Sequence, residues 1–283
     1  MQKYIARYMM NANDRHLIAV DLDDTILNDL FSLNVKSVWK LIDLKDAGHV
    51  VMIATARPTC LAMPYYRALG LNSLLSTVNG NYLYHPDDPS IPMIRHELDA
   101  GRADAVISVM EDLELQSPWM QSDDVIYRTG EALNVPYFRI MFAHGQTHAV
   151  DQLPRIACGR ILGLAKDEQT AMLAHDRITA AGGVTCTVYK NGFGTYSVSC
   201  TSEEADKWTT VHEAAKFYGI RDENIWCFGD ENNDRKMVMN AAHGYAMVNG
   251  NPKLIADMQA LGKGVTRLPC HEGGVADILA QLL

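Results

Sequence analysis

The chain has 283 residues, of which 48% are hydrophobic and 21% charged, so it can bury a sizeable core and falls outside the disordered classes. Its 25 basic and 34 acidic side chains give a formal net charge of −9, and no run of lysine or arginine is present, which argues against nucleic acid as a partner. A phosphate ligand is not excluded, because a metal ion and a few local cations can reverse the field at one site.

The sequence predicts a cytoplasmic protein. Its six cysteines are scattered without a C-x-x-C pair, as is typical of reduced thiols. The N-terminal stretch MQKYIARYMMNANDRH is too polar for a secretory signal, and no segment approaches the ~18 apolar residues of a membrane span. We therefore expect no membrane partner.

The first elements form a βαβ unit. His16–Val20 (HLIAV) and Val50–Ala54 (VVMIA) are continuous apolar runs that suit buried parallel strands. Between them, residues 33–46 show helical periodicity, and Gly48 follows as a stop signal. A strand, a helix and a strand within ~40 residues predict a right-handed crossover.

The same alternation returns near the C-terminus, so both ends of the chain predict one doubly wound, mostly parallel α/β core of the Rossmann-like kind. The predicted elements there are helix Trp208–Tyr218, strand Ile225–Phe228, helix Met237–Ala242, strand Gly244–Val248 and helix Pro252–Leu261.

The middle of the chain is less regular and predicts an inserted α+β domain at 83–194, which leaves 1–82 and 195–283 for the core. Its predicted elements are a helix at 101–115, strand Tyr137–Phe142, strand Arg160–Ala165, helix Glu168–Ala181 and strand Val184–Tyr189, ending at a turn with Gly192 and Gly194. His144 and His148 resemble a metal pair, but a loop of the insertion is the favoured interpretation.

Polar clusters follow three of the predicted core strands: DLDDT at 21–25, TAR at 55–57 and GDENND at 229–234. Ligands of open parallel sheets bind beyond the carboxyl ends of the strands, so these clusters are expected at one site. Asp21, Asp23 and Asp230 would repel one another there unless a hard cation such as Mg²⁺ held them. An acidic loop without function is the alternative for any one of these aspartates.

DLDDT, ATAR at 54–57, Lys207 and GDENND resemble, in this order, the four motifs of the haloacid dehalogenase superfamily. The insertion, together with AMVNGNPKLIA and EGGVADIL, is similar to the Cof-type branch with a C2 cap, class IIB. The resemblance implies a nucleophile at Asp21 and a general acid and base at Asp23, which also lends its backbone carbonyl to the metal.

The resemblance further implies that Thr55 and Lys207 bind the transferring phosphoryl group and that Mg²⁺ is held at Asp21, Asp23 and Asp230, with Asn233 and Asp234 in support. Thr55 alone would pass for an ordinary strand-end residue, and Lys207 for a solvated helix residue. The sequence departs from the common pattern at Ala56, Trp208 and Glu231, which affects the expected loop geometry more than the chemistry.

Three further residues are candidates for substrate binding. Arg57 either faces the substrate or caps the following turn, Asn79 lies at a turn into the insertion, and Asn233 lies in the last motif. The resulting hypothesis is a Mg²⁺-dependent phosphatase of small phosphorylated metabolites. A phosphomutase or phosphotransferase on the same scaffold and a non-catalytic sugar-phosphate-binding regulator remain as alternatives, and the physiological substrate and oligomeric state stay open.

Overall fold

The computed structural model describes residues 15–29, 31–130, 136–191 and 194–282. Residues 1–14 of the N-terminal stretch and Gly192 of the predicted glycine turn lie outside this range. The strands are β1 (Leu17–Val20), β2 (Val50–Ile53), β3 (Leu75–Thr77), β4 (Tyr82–Tyr84), β5 (Ile94–Arg95), β6 (Gln116–Ser122), β7 (Val125–Arg128), β8 (Gln146–Ala149), β9 (Arg160–Ala165), β10 (Val184–Lys190), β11 (Tyr196–Ser202), β12 (Ile225–Gly229), β13 (His243–Ala246) and β14 (Gly264–Val265). The helices are α1 (Val35–Ala47), α2 (Thr59–Ala68), α3 (Ala100–Asp112), α4 (Pro136–His144), α5 (Glu168–Thr179), α6 (Lys207–Tyr218), α7 (Arg235–Asn240), α8 (Pro252–Ala260) and α9 (Gly274–Leu279).

The chain divides into two compact units. The first contains the described residues up to Arg57, Ala62–Met93 and those from Asp206 onward. The second contains Pro58–Leu61 and Ile94–Ala205. None of the described helices is both long and apolar enough to cross a membrane.

The first unit is built on a five-stranded parallel sheet of order β14-β13-β12-β1-β2. Alternate residues of β1 pack into two different cores: Ile18 and Val20 into one, Leu17 and Ala19 into the other. Since helices cover both faces, the strand needs apolar residues at every position, which explains the unbroken run in the sequence. The predicted doubly wound α/β fold is confirmed.

The helices of this unit begin and end where their terminal residues satisfy the backbone. Asn34 caps α1 by accepting from the Ser37 backbone N–H, and Gly48 ends it in the left-handed conformation at φ 108°. Asp206 caps α6 in the same way, and Gly219 ends it. The cap at Asp206 places Lys207 at the first turn of α6.

The second unit is an α+β structure with a six-stranded sheet of order β10-β11-β9-β6-β7-β8. Helices α3 and α5 share a core with one face of the sheet. The predicted strand Tyr137–Phe142 is wrong, because this segment lies in helix α4. Phe138 and Phe142 are four residues apart and both contact the buried Trp119 edge-on, so a helical spacing places them on one face.

The predicted loop for His144 and His148 is wrong, because both residues lie in regular elements. His144 ends α4, whereas His148 lies in β8 and stacks on Tyr127. The two side chains therefore belong to different elements of the second unit.

Candidate active site

The carboxyl ends of three neighbouring strands bring the predicted clusters together. Central strand β1 pairs with β2 and β12 in a register that aligns Val20 with Ile53 and with Phe228. The next residues along the chain open the motifs at 21, 54 and 229. The sheet topology alone thus puts segments from distant parts of the sequence at one edge.

Asp21 and Asp234 share one buried lysine. Lys207 Nζ donates to Asp21 Oδ1 at 2.7 Å and to Asp234 Oδ1 at 2.6 Å, and the lysine side chain is 0% exposed. Burial alone would lower the pKa of Lys207, but the two carboxylates raise it above its ordinary value. Lys207 is therefore a permanent cation of the site.

Burial raises the pKa of Asp21 to about 7, because the attraction of Lys207 offsets only part of the desolvation and of the repulsion by Asp234 and Asp23. Burial and repulsion by Asp21 likewise raise the pKa of Asp230, to about 9. Thr25 donates its hydroxyl to Asp230 Oδ1 at 3.3 Å. The site thus carries more carboxylate charge than its protein partners neutralise.

A divalent cation fits this surplus. Carboxylate oxygens of Asp21, Asp230 and Asp234 all lie within 4.8 Å of one another. Oxygen donors of this kind are those that Mg²⁺ prefers, and the raised pKa values of Asp21 and Asp230 mark the charge that a cation would neutralise. These residues therefore suit a hard divalent cation.

The loop of the last motif is organised around Asp234. Its Oδ2 accepts the backbone N–H of Asp230 at 3.0 Å and of Glu231 at 3.1 Å. A side chain at Gly229 would lie 2.3 Å from the Asp234 carboxyl, so only glycine fits there. Glu231, which departs from the common pattern, caps the turn by accepting from the Asn232 backbone N–H. The unusual residue preserves the loop geometry.

Asp23 does not join the carboxylate cluster. Its two carboxylate oxygens accept from Arg57 Nε at 2.9 Å and Nη2 at 2.5 Å. Leu22 between the two aspartates is fully buried, as expected. The structure therefore brings Asp21 and Asp23 to the same edge of the sheet but gives them separate partners.

Thr55 and Arg57 are tied to one another. The Thr55 hydroxyl oxygen accepts the Arg57 backbone N–H at 3.1 Å and can still donate its own hydrogen. Thr55 is fully buried and Arg57 is 3% exposed. The motif after β2 therefore forms a compact turn in which the backbone of Arg57 is held by Thr55.

Asn79 and Asn233 are hydrogen-bonded to each other. Asn233 Nδ2 donates to Asn79 Oδ1 at 2.9 Å. Val78, Asn79 and Gly80 have φ values of 52°, 57° and 87°, a left-handed run that is strained for the β-branched Val78. The Asn79 backbone N–H also donates to the Thr55 carbonyl at 3.0 Å, so this turn joins the second motif to the last.

Sequence reasoning gave no role to Asn249 and none to Thr25 beyond its motif. Asn249 donates to the Asp24 carbonyl at 2.8 Å and accepts from the Cys270 backbone N–H at 2.8 Å. It thereby links the loop after β1 to a segment near the C-terminus. Asn249 lies in the pattern AMVNGNP, which resembles the family but does not indicate that Asn249 contacts Asp24 and Cys270.

A parallel sheet with an aspartate, lysine and aspartate centre beyond its strand ends defines an α/β enzyme suited to phosphoryl chemistry. The sequence profile of the haloacid dehalogenase-like hydrolases matches residues 18–279. The chain therefore belongs to the haloacid dehalogenase-like hydrolase family, as its four motifs predicted.

Curated relatives agree with this assignment, and a solved structure shares the fold. The chain is 24% identical over 249 residues to 5-amino-6-(5-phospho-D-ribitylamino)uracil phosphatase YitU of Bacillus subtilis, covering 83% of this chain and 87% of that protein. It is 24% identical to HMP-PP phosphatase of Serratia proteamaculans, covering 94% and 95%. The crystal structure of a haloacid dehalogenase-like hydrolase from Bacteroides thetaiotaomicron superposes with a TM-score of 0.76 at 19% identity, covering 95% of this chain and 100% of that one. The predicted Cof-type phosphatase class is confirmed.

Proposed function

We propose that the chain hydrolyses small phosphorylated metabolites through an aspartyl-phosphate intermediate, an acyl phosphate on Asp21, in a reaction that depends on Mg²⁺. The observation that carries the proposal is the placement of the Asp21 carboxylate, which lies at a strand end and holds a hydrogen bond to the buried Lys207 ammonium at 2.7 Å. One carboxylate oxygen is fixed by the lysine, which leaves the other to attack phosphorus.

In the first half of the reaction, an Asp21 oxygen forms a bond to phosphorus while the bond from phosphorus to the leaving oxygen breaks. Asp23, protonated for this step, gives its proton to the leaving oxygen, so that an alcohol departs. Lys207 and the Thr55 hydroxyl are proposed to hold the oxygens of the transferring group. Lys207 needs little rearrangement because Asp234 Oδ1 anchors its ammonium at 2.6 Å.

In the second half, a water oxygen attacks the same phosphorus and the bond to Asp21 breaks. The water gives its proton to the Asp23 carboxylate, which restores the acid for the next turnover. Orthophosphate leaves and Asp21 is regenerated as a carboxylate.

Mg²⁺ would be held by Asp21 and Asp230, with Asp234, Asn233 and the Asp23 backbone carbonyl in support, and would neutralise phosphate charge. Asp230 is proposed as a direct ligand because its carboxylate lies within 4.8 Å of those of Asp21 and Asp234, and because burial and the repulsion by these two groups raise its pKa to about 9.

The second unit is proposed as the C2-type cap that selects the substrate, and Asn79 and Asn233 of the first unit are proposed as further candidate substrate contacts. YitU, one of the relatives described above, is named for a phosphorylated ribitylaminouracil, which supports a compact organic phosphate as the substrate class. A cytoplasmic location stays a prediction from the sequence.

The test is acid quenching of Asp21→Asn and wild-type protein during turnover of a labelled organic phosphate with Mg²⁺. Wild type should carry acid-stable label and release orthophosphate, whereas the variant should do neither, because an amide is a far poorer nucleophile. Equal labelling of the variant would place the nucleophile elsewhere. Label that passes to an added sugar rather than to water would replace hydrolysis by phosphotransfer.

A further inference from the structure

The ion pair between Arg57 and Asp23 has unequal partners. The Arg57 side chain is 3% exposed and the Asp23 side chain is 41% exposed, yet two parallel hydrogen bonds of 2.9 Å and 2.5 Å join them. A buried guanidinium is therefore paired with a partly exposed carboxylate.

Several contacts fix the arginine independently of Asp23. Its backbone N–H donates to the Thr55 hydroxyl, its carbonyl accepts the Val78 backbone N–H at 3.0 Å, and its guanidinium lies 5.2 Å from the centre of the Tyr65 ring. The guanidinium also donates to the Tyr65 hydroxyl at 3.4 Å. Arg57 is thus a rigid group, and the orientation of the Asp23 carboxylate follows from it.

We propose that Arg57 is a positioning residue for Asp23: it fixes the plane of the carboxylate that exchanges protons with the leaving oxygen and with water. This inference rests on the proposed function. A half-exposed aspartate samples several rotamers, and a bidentate arginine selects one of them. Two hydrogen bonds use two of the four or so lone-pair sites of the carboxylate, which leaves room for the leaving group.

The proposal assigns Arg57 an effect through Asp23 and not on the phosphoryl group. It follows that replacing Arg57 should matter only while Asp23 is a carboxyl group. It should also matter most when the leaving oxygen is strongly basic and needs a well-aimed acid.

The experiment compares Arg57→Lys, which keeps the charge but loses the planar fork, with Arg67→Lys as a matched control. Arg67 also forms a bidentate pair, donating to Asp87 at 2.5 Å and 2.5 Å, but both side chains are exposed. Single-turnover phosphorylation is measured with a sugar phosphate and with nitrophenyl phosphate. Arg57→Lys should slow the sugar phosphate by about 10–100-fold, a part of the ~10²–10⁴-fold typical of general acid catalysis, and the nitrophenyl ester by less than about threefold. Arg67→Lys should leave both rates unchanged.

Two further arms test the route of the effect. In an Asp23→Asn background, Arg57→Lys should add no further loss, because the group it positions is gone. In Arg57→Ala, free guanidinium should restore part of the sugar-phosphate rate, and this variant also serves if Arg57→Lys folds poorly.

Three results would overturn the proposal: an equal loss with both leaving groups, a loss that persists undiminished in Asp23→Asn, or a raised KM with unchanged kcat, which would mean that Arg57 binds substrate. Failure of the proposed function is seen separately, because wild-type protein would then form no acid-stable phosphoenzyme.

Discussion

Replacing Lys207 by methionine tests whether this residue holds the carboxylate centre together. Methionine has a similar length but no charge, so it leaves Asp21 and Asp234 buried without their shared donor. Removing one partner of a buried ion pair typically costs ~3–5 kcal/mol. We expect a loss of this size in the free energy of unfolding at pH 8 without Mg²⁺.

The loss should be smaller at pH 5. Burial raises the folded pKa of Asp21 to about 7, above its ordinary value of 3.8, so the folded protein retains a proton that the unfolded chain releases, and stability falls as pH rises between these values. Without Lys207 the folded pKa is higher still, so the variant keeps this proton at pH 8 while wild type has largely lost it. At pH 8, one unit above the wild-type pKa, the proton that only the variant keeps corresponds to ~1.4 kcal/mol of additional loss of stability. The destabilisation by Lys207→Met should therefore be larger at pH 8 than at pH 5 by this amount.

The assay is urea unfolding of wild type and Lys207→Met at both pH values in the presence of a chelator. The control is Lys236→Met, which removes an exposed lysine that pairs with the partly buried Asp206 at 3.2 Å and should cost less than ~1 kcal/mol at either pH. A variant that folds only at pH 5 meets the expectation. A destabilisation equal to that of the control, or one larger at pH 5 than at pH 8, would refute the reasoning.

Two other predictions follow from the same geometry. Because burial raises the pKa of both Asp21 and Asp230, binding of Mg²⁺ must displace protons from them. The affinity for Mg²⁺ should therefore rise between pH 6 and pH 8, by up to about tenfold per pH unit for each proton released. Calorimetric titration measures this affinity, and a flat pH profile would contradict the prediction. Gly80→Ala places a methyl group 2.2 Å from the Asp206 carbonyl at φ 87°, whereas Gly219→Ala at φ 65° meets nothing within 4 Å. Unfolding in urea should therefore show a cost of ~2–4 kcal/mol for the first and ~1 kcal/mol for the second, and equal costs would exclude the clash.

The core and the main site were predictable because each left a periodic or positional signal. Strands β1 and β2 are buried on both faces, so their sequences are continuously apolar. Since such strands are parallel, the residues that follow them share one edge. That rule was enough to bring Asp21 and Asp230 together across more than 200 positions of sequence.

What the sequence did not reveal depends on tertiary partners. The apolar residues of the segment 137–142 are compatible with both a strand and a helix. Trp119, which is distant in sequence, favours the helix because it packs against Phe138 and Phe142 on one helical face. The partner of Arg57 was equally hidden, because an arginine after a strand can reach many carboxylates. The left-handed Val78 could not be expected, since a β-branched residue rarely adopts that conformation.

The two carboxylates that accept hydrogen bonds from Lys207, those of Asp21 and Asp234, have different roles in the proposed reaction. Under the proposed reaction, Asp21 becomes an acyl phosphate in each cycle and no longer offers the lysine a carboxylate anion. Asp234 keeps its hydrogen bond to the ammonium and also holds the backbone N–H groups of Asp230 and Glu231. Lys207 therefore has a constant partner while its other partner changes state, so its charge stays in place for the phosphoryl group. A buried lysine with only Asp21 beside it would lose its counterion at the step where its position matters most.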